Sequence, residues 1–139
     1  MDLKEKIRSI PDFPIKGVLF RDITTLLKDK EGYHALIETI ADSLKDRQVD
    51  LVIGPEARGF VIGAALAYAL NAGFVLARKP GKLPCETMRY EYGLEYGSDV
   101  LEIHTDSIQP GQKVVIVDDL LATGGTALAT VKLVEQAGG

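Results

Sequence analysis

The chain is poor in cysteine and histidine, with one cysteine and two histidines among 139 residues. A single cysteine, Cys85, excludes an internal disulfide, so the expected compartment is the reducing cytoplasm. We interpret Cys85, which falls in a loop, as incidental. His34 and His104 have no cysteine or histidine partner nearby in the sequence, so the spacing of a zinc site is missing.

Long apolar runs and strong basic charge are also missing. The longest apolar stretch, residues 60–70, is too short to span a bilayer, and the N-terminus lacks the apolar core of a signal peptide. A net charge of −4 argues against a general nucleic-acid or membrane-surface binder. We therefore expect no nucleic acid and no membrane among the partners.

What is present is an ordinary globular composition, with 46% apolar and 26% charged residues. A chain of this length can bury roughly two thirds of its unfolded surface as one domain. The sequence has no internal repeat, linker or low-complexity tract. We predict a single domain over residues 1–139.

Short apolar runs alternate with segments of helical period. The runs at 51–53, 74–77 and 114–117 are typical of strands buried on both faces. Helical spacing predicts helices over 1–10, 31–47 and 60–71, and a last one with Leu128, Val131 and Val134 on its apolar stripe. Residues 86–104 alternate as a β-ribbon does. This order predicts an α/β fold with a central, mostly parallel sheet flanked by helices.

The stretch Val114–Thr126, reading VVIVDDLLATGGT, organises the chain. Two acids, Asp118 and Asp119, follow a buried strand, and a turn of small residues then leads into a helix. In open α/β sheets, ligands bind outside the carboxyl ends of the strands. A glycine-rich turn at a helix N-terminus binds anions through its N–H groups, and adjacent carboxylates suit a ribose diol or a Mg²⁺ shell.

Two further strand ends carry polar loops. Residues 54–59, GPEARG, have the glycine spacing of a Walker A loop, but Phe60-Val61 follows where Lys-Ser/Thr is required, so that motif is rejected. Arg58 lies between the end of a strand and the start of a helix. We interpret it as either an anion ligand or a member of a surface ion pair. Arg78, Lys79 and Lys82 form a cluster of cations that suits a polyanion, although basic loops are usually solvated faces.

The 114–126 stretch resembles the 5-phosphoribosyl-1-pyrophosphate (PRPP) motif of type I phosphoribosyltransferases. The segment PDFPIKGVLFRDIT at 11–24 resembles the N-terminal signature of the adenine phosphoribosyltransferase family, and RKPGKLP at 78–84 matches its basic loop. The resemblance implies a pentosyltransferase of purine salvage, which forms AMP and pyrophosphate from adenine and PRPP with Mg²⁺. It also implies a homodimer, which the apolar character of residues 60–71 on nearly all sides favours independently.

The resemblance also implies roles for individual residues. Asp118 and Asp119 would hold the ribose hydroxyls, with Mg²⁺ reaching them through PRPP rather than through a dedicated metal site. The base-covering segment 11–25 would bind adenine through Leu19, Phe20 and Arg21. The remaining ligands would be, for the 5′-phosphate, Ala122, Thr123, Gly124, Gly125 and Thr126, and for pyrophosphate, Arg58, Arg78, Lys79 and Lys82.

A mobile flap over residues 80–104 is also implied, and it would protect an electron-poor ribosyl centre from water. Related 6-oxopurine transferases carry an acid at the position that is Ala122 here. The candidate general acid/base is therefore Glu95 at the flap tip, the alternative being a solvated loop glutamate.

Relatives in this family usually continue beyond the point at which Gly139 ends the sequence. We therefore expect the C-terminal part of the fold to be absent and one sheet edge to be exposed. Two other functions stay open: transfer to xanthine, orotate or another base, and a non-enzymatic PRPP-binding regulator.

Overall fold

The computed structural model describes residues 2–94, 97–120 and 124–139. The chain forms two compact units, Met1–Ser43 and Leu44–Gly139. The prediction of one domain over residues 1–139 stays a prediction. The predicted flap tip at Glu95 and the turn residues Ala122 and Thr123 lie outside the described residues.

The first unit is built on a small antiparallel ribbon. A 3₁₀ helix at Leu3–Lys6 precedes β1 (Arg8–Ile10), which pairs with β2 (Phe20–Asp22). Helices α1 (Thr24–Leu27) and α2 (Lys30–Leu44) follow. The prediction of a helix over 1–10 is wrong in its second half, because Arg8 lies opposite Asp22 in the ribbon and forms an ion pair with its buried carboxylate at 2.5 Å.

The second unit contains a parallel three-stranded sheet and a separate antiparallel ribbon, which confirms the predicted fold class. The sheet order is β4-β3-β7, from β3 (Leu51–Pro55), β4 (Gly73–Ala77) and β7 (Val114–Ile116). The ribbon pairs β5 (Thr87–Leu94) with β6 (Gly97–His104). The helices of this unit are α3 (Arg58–Leu70) and α4 (Gly125–Gln136).

The core of this unit lies between the sheet, the ribbon and α4. It includes Ile53, Leu101, Ile103 and Leu133, all of them almost fully buried. The predicted apolar stripe of α4 is wrong at Leu128, which is 53% exposed. The helix instead buries Ala129, Thr130, Leu133 and Val134, because this face packs against β5 and β6.

Helix α3 has two different apolar faces. One is buried and contains Ile62, Leu66 and Ala67. The other is exposed and contains Val61 and Tyr68, the latter 90% accessible. Neither this helix nor any other within residues 2–94, 97–120 and 124–139 is long and apolar enough to cross a membrane.

The three parallel strands end at one edge of the sheet, as parallel strands must, and the loops that follow them meet there. Two glycines allow a close approach at this edge. A Cβ on Gly54, in β3, would lie 2.5 Å from the carbonyl oxygen of Gly59 in the first turn of α3. The absence of side chains therefore lets α3 begin directly against the end of β3.

Candidate active site

Asp118 and Asp119 emerge from the end of β7. The Val117 N–H donates to the carbonyl oxygen of Ile53 at 3.0 Å, which extends the pairing with β3 up to the acids. The Asp119 N–H donates to Asp118 Oδ1 at 2.8 Å. The Asp119 side chain is only 7% exposed and accepts from Arg58 Nε at 2.8 Å. The two carboxylates and Arg58 therefore form one cluster at the sheet edge.

The pKa of Asp118 departs from the usual value of an aspartate. Burial and the neighbouring Asp119 carboxyl raise the pKa of Asp118 to about 6, while Arg58 opposes that shift. The charge of Asp118 therefore changes just below neutral pH. A hydrogen-bond donor or a cation placed against it would favour the charged form.

The N-terminus of α4 lies beside these acids. Gly124 has a φ of 86°, a left-handed conformation that suits glycine, and it precedes the first helical residue, Gly125. The first-turn N–H groups and the helix dipole create positive potential there, which favours an anion such as a phosphate group.

Another carboxylate, that of Glu56, accepts hydrogen bonds from two residues of the basic loop. Its Oε1 accepts from the Lys79 N–H at 2.8 Å and from Arg78 Nε at 3.2 Å. These two hydrogen bonds hold the pKa of Glu56 below its usual range, and the bond from Lys79 has the larger effect. The Arg78 guanidinium also lies over the Phe60 ring, 5.9 Å from its centroid. Sequence reasoning missed Glu56, whose partners lie more than twenty residues away.

The β-ribbon provides the opposite wall. Asp99 Oδ2 accepts from Lys79 Nζ at 2.8 Å and from the Tyr92 hydroxyl at 3.3 Å. Tyr92 is 9% exposed, and its hydroxyl lies 3.4 Å from Thr126 Oγ1 in α4. Neither Tyr92 nor Asp99 was predicted as a site residue. The pairing register of the ribbon places both side chains on one face, because Tyr92 and Asp99 are cross-strand partners.

These elements enclose a cavity of about 300 Å³. Seven predicted site residues line it: Arg58, Lys79, Asp118, Asp119, Gly124, Gly125 and Thr126. Arg78 and Lys82 are not among the lining residues. The predictions for Glu95, Ala122 and Thr123 concern residues outside the described part of the chain. The cavity therefore combines four acids, two cations and a helix N-terminus. The cations and the helix end suit the phosphate groups of a sugar phosphate, and acids at the sheet edge suit its ribose hydroxyls.

The predicted adenine-binding residues belong to the first unit. Leu19 is 52% exposed, Phe20 packs edge-to-face on Phe13 with ring centroids 5.2 Å apart, and Arg21 donates to the Ser9 hydroxyl. The prediction assigns the adenine edge to the backbone N–H and C=O groups of Leu19 and Arg21, with Phe20 as an apolar wall. Their binding to adenine stays a prediction.

Comparison with known proteins agrees with this site. The sequence profile described as "Phosphoribosyl transferase domain" matches residues 22–139. The chain is 63% identical over 139 residues to the adenine phosphoribosyltransferase of Alkaliphilus metalliredigens, covering all of this chain and 82% of that protein.

Solved structures give the same result. The adenine phosphoribosyltransferase of Thermoanaerobacter pseudethanolicus superposes with a TM-score of 0.95 at 60% identity, over 99% of this chain and 80% of that one. The Saccharomyces cerevisiae enzyme, complexed with D-2,5-dideoxy-2,5-imino-altritol 1,6-bisphosphate and adenine, gives 0.94 at 42% identity, over 97% of this chain and 79% of that one. The chain therefore belongs to the adenine phosphoribosyltransferase family.

Proposed function

We propose that this protein transfers the 5-phosphoribosyl group of PRPP to adenine and releases AMP and pyrophosphate. The observation that carries the proposal is the cavity in which Asp118 and Asp119 meet the N-terminus of α4, with Arg58 and Lys79 on its walls. Membership of the family supports adenine as the base, as does the adenine bound to the Saccharomyces cerevisiae relative.

In this reaction adenine N9 forms a bond to the anomeric carbon, the bond to pyrophosphate breaks, and N9 loses a proton, with inversion at that carbon. Asp118 and Asp119 accept hydrogen bonds from the ribose hydroxyls and place negative charge near the electron-poor ribosyl centre. The N-terminus of α4 binds the 5′-phosphate, and Ala122 and Thr123 are assigned to the same ligand. Arg58 and Lys79 neutralise the charge that develops on pyrophosphate.

Magnesium fits the donors of this site. Among the described residues there is no group of three or more acidic, histidine or cysteine side chains suited to a metal. Mg²⁺ typically binds one or two carboxylates together with substrate phosphates, and Asp118 and Asp119 offer the carboxylates. We propose that Mg²⁺ binds with PRPP and neutralises pyrophosphate charge when bound.

Three further roles belong to this proposal. Arg78 and Lys82 bind pyrophosphate, Arg78 after leaving its present partners, Glu56 and Phe60. Leu19, Phe20 and Arg21 bind adenine. Glu95 serves as general acid/base, so Glu95→Gln should lower turnover sharply while PRPP affinity is retained.

We also propose a homodimer through α3. Its exposed stripe follows helical spacing through Val61, Ala64 and Tyr68, and burial of apolar area is the main driving force for association. Light scattering should give twice the monomer mass. We place the protein in the cytoplasm, in keeping with its one exposed free cysteine, Cys85.

The test of function is product formation from adenine, PRPP and Mg²⁺, with hypoxanthine, xanthine and orotate as competing bases. The proposal expects AMP and pyrophosphate in equal amounts, with adenine strongly preferred. Preference for another base would support the alternative transferase. PRPP binding without turnover on any base would support the regulator instead.

A further inference from the structure

Asp99 is the point at which three parts of the cavity wall meet. Its Oδ2 accepts from Lys79 Nζ in the basic loop at 2.8 Å and from the Tyr92 hydroxyl of β5 at 3.3 Å. The same hydroxyl lies 3.4 Å from Thr126 Oγ1 in the first turn of α4. One carboxylate thus connects the basic loop, the ribbon and the helix proposed to bind the 5′-phosphate.

The Asp99 carboxylate is itself held in place. Its Oδ1 accepts from the N–H of Val100 at 2.8 Å, which leaves Oδ2 directed at Lys79 and Tyr92. Its side chain is 26% exposed, against 53% for Lys79. The carboxylate is therefore the fixed partner, and the longer, more exposed lysine is the group that gains order from the contact.

Order at Lys79 matters for binding a polyanion. A free lysine side chain loses substantial rotamer entropy when a ligand immobilises it. The ammonium group has three donors, and Asp99 uses one of them, so two remain for phosphate oxygens. The main chain of Lys79 is also fixed by Glu56, so both ends of this residue have a carboxylate partner.

We propose that Asp99 is a positioning residue for PRPP, holding the Lys79 ammonium group at the cavity wall and fixing Tyr92 against Thr126. This inference rests on the proposed function, since it takes PRPP as the ligand. It assigns a role to the ribbon that is separate from any role of the flap tip.

The experiment is calorimetric titration of Mg²⁺-PRPP into wild type, Asp99→Asn, Lys79→Gln and the double variant. Asp99→Asn should weaken PRPP binding about fivefold, the scale of a part-exposed ion pair. In the Lys79→Gln background the same change should have less than about a 1.5-fold effect, because the lysine through which Asp99 acts is gone. Glu91→Gln, an exposed carboxylate-to-amide change on the other face of the ribbon, is the matched control and should bind like wild type.

An unchanged or tighter PRPP affinity in Asp99→Asn would overturn the proposal, because it would make Asp99 a spectator or a competitor of the ligand. Equal losses in both backgrounds would also overturn it, since they would show that Asp99 does not act through Lys79. Turnover with adenine is measured separately. A wild-type protein that binds PRPP but shows no turnover with adenine would refute the proposed function and leave this inference standing. A wild-type protein that does not bind PRPP would refute both.

Discussion

Asp118 and Asp119 are adjacent carboxyl groups with different surroundings. Asp119 is buried against Arg58 at 2.8 Å, and burial together with the Asp119 carboxyl raises the pKa of Asp118 to about 6. A carboxyl group with a raised pKa is neutral below that pH and charged above it. The charge that Asp118 contributes to this pair therefore depends on pH near 6.

A pH dependence follows for PRPP. Asp118 must be charged to accept hydrogen bonds on both oxygens, so kcat/KM for PRPP should rise as the pH increases through about 6. Asp118→Asn should be slower throughout and should lack this limb, while ionisation of PRPP itself affects both proteins alike. Steady-state initial rates measured between about pH 5 and about pH 8 give this pH profile of kcat/KM. A variant profile with the same limb as wild type would assign the titration to another group.

A second prediction at the residue scale concerns Gly54. Its added Cβ would lie 2.5 Å from the Gly59 carbonyl oxygen, a backbone atom that cannot rotate away. Gly54→Ala should therefore destabilise the fold by about 1–3 kcal/mol. Gly93→Ala is the control, because nothing lies within 4 Å of its added Cβ. Urea denaturation compares the two, and equal midpoints would show that β3 and α3 separate without cost.

At the scale of elements, the sequence predicted most of the second unit. The strands 51–53, 74–77 and 114–117 and the ribbon were found because apolar runs and alternation are strong local signals. The helix over 1–10 was wrong because pairing of Arg8 with Asp22, fourteen residues away, decides that segment. Local periodicity carries no information about such a partner.

Helix α4 gives the element-scale prediction. Leu133 is fully buried in the core, whereas Leu128, in the same helix, is 53% exposed. Leu133→Ala should lower the free energy of unfolding by about 2–5 kcal/mol, while Leu128→Ala should change it by less than about 1 kcal/mol. Thermal or urea unfolding of both variants checks this. A larger loss at Leu128 would favour the stripe expected from sequence over the one observed.

For the whole molecule, the structure brings together those predicted site residues that follow strand ends. Arg58, Lys79, Asp118 and Asp119 meet because the strands before them end at one edge of a parallel sheet. Glu56, Tyr92 and Asp99 were missed because each acts on a residue brought near only by folding, such as Lys79 for the two carboxylates. A sequence shows which residue types follow each strand, whereas it does not show which residues of different loops will pair.

The family assignment and the geometry lead to the same account. In the proposed function, the acids at one sheet edge bind the ribose, the N-terminus of α4 binds its phosphate, and the cations of the cavity wall bind the leaving pyrophosphate. The chain spans about four fifths of the length of the relatives it matches. Its similarity to them extends over the whole 139 residues.

A crystal structure of the protein with AMP tests the central claim most directly. The account predicts the nucleotide's phosphate within hydrogen-bonding distance of the main-chain N–H groups at 124–126, and its ribose hydroxyls on the carboxylates of Asp118 and Asp119. AMP bound elsewhere, or bound in this cavity with neither carboxylate on its ribose, would contradict the account.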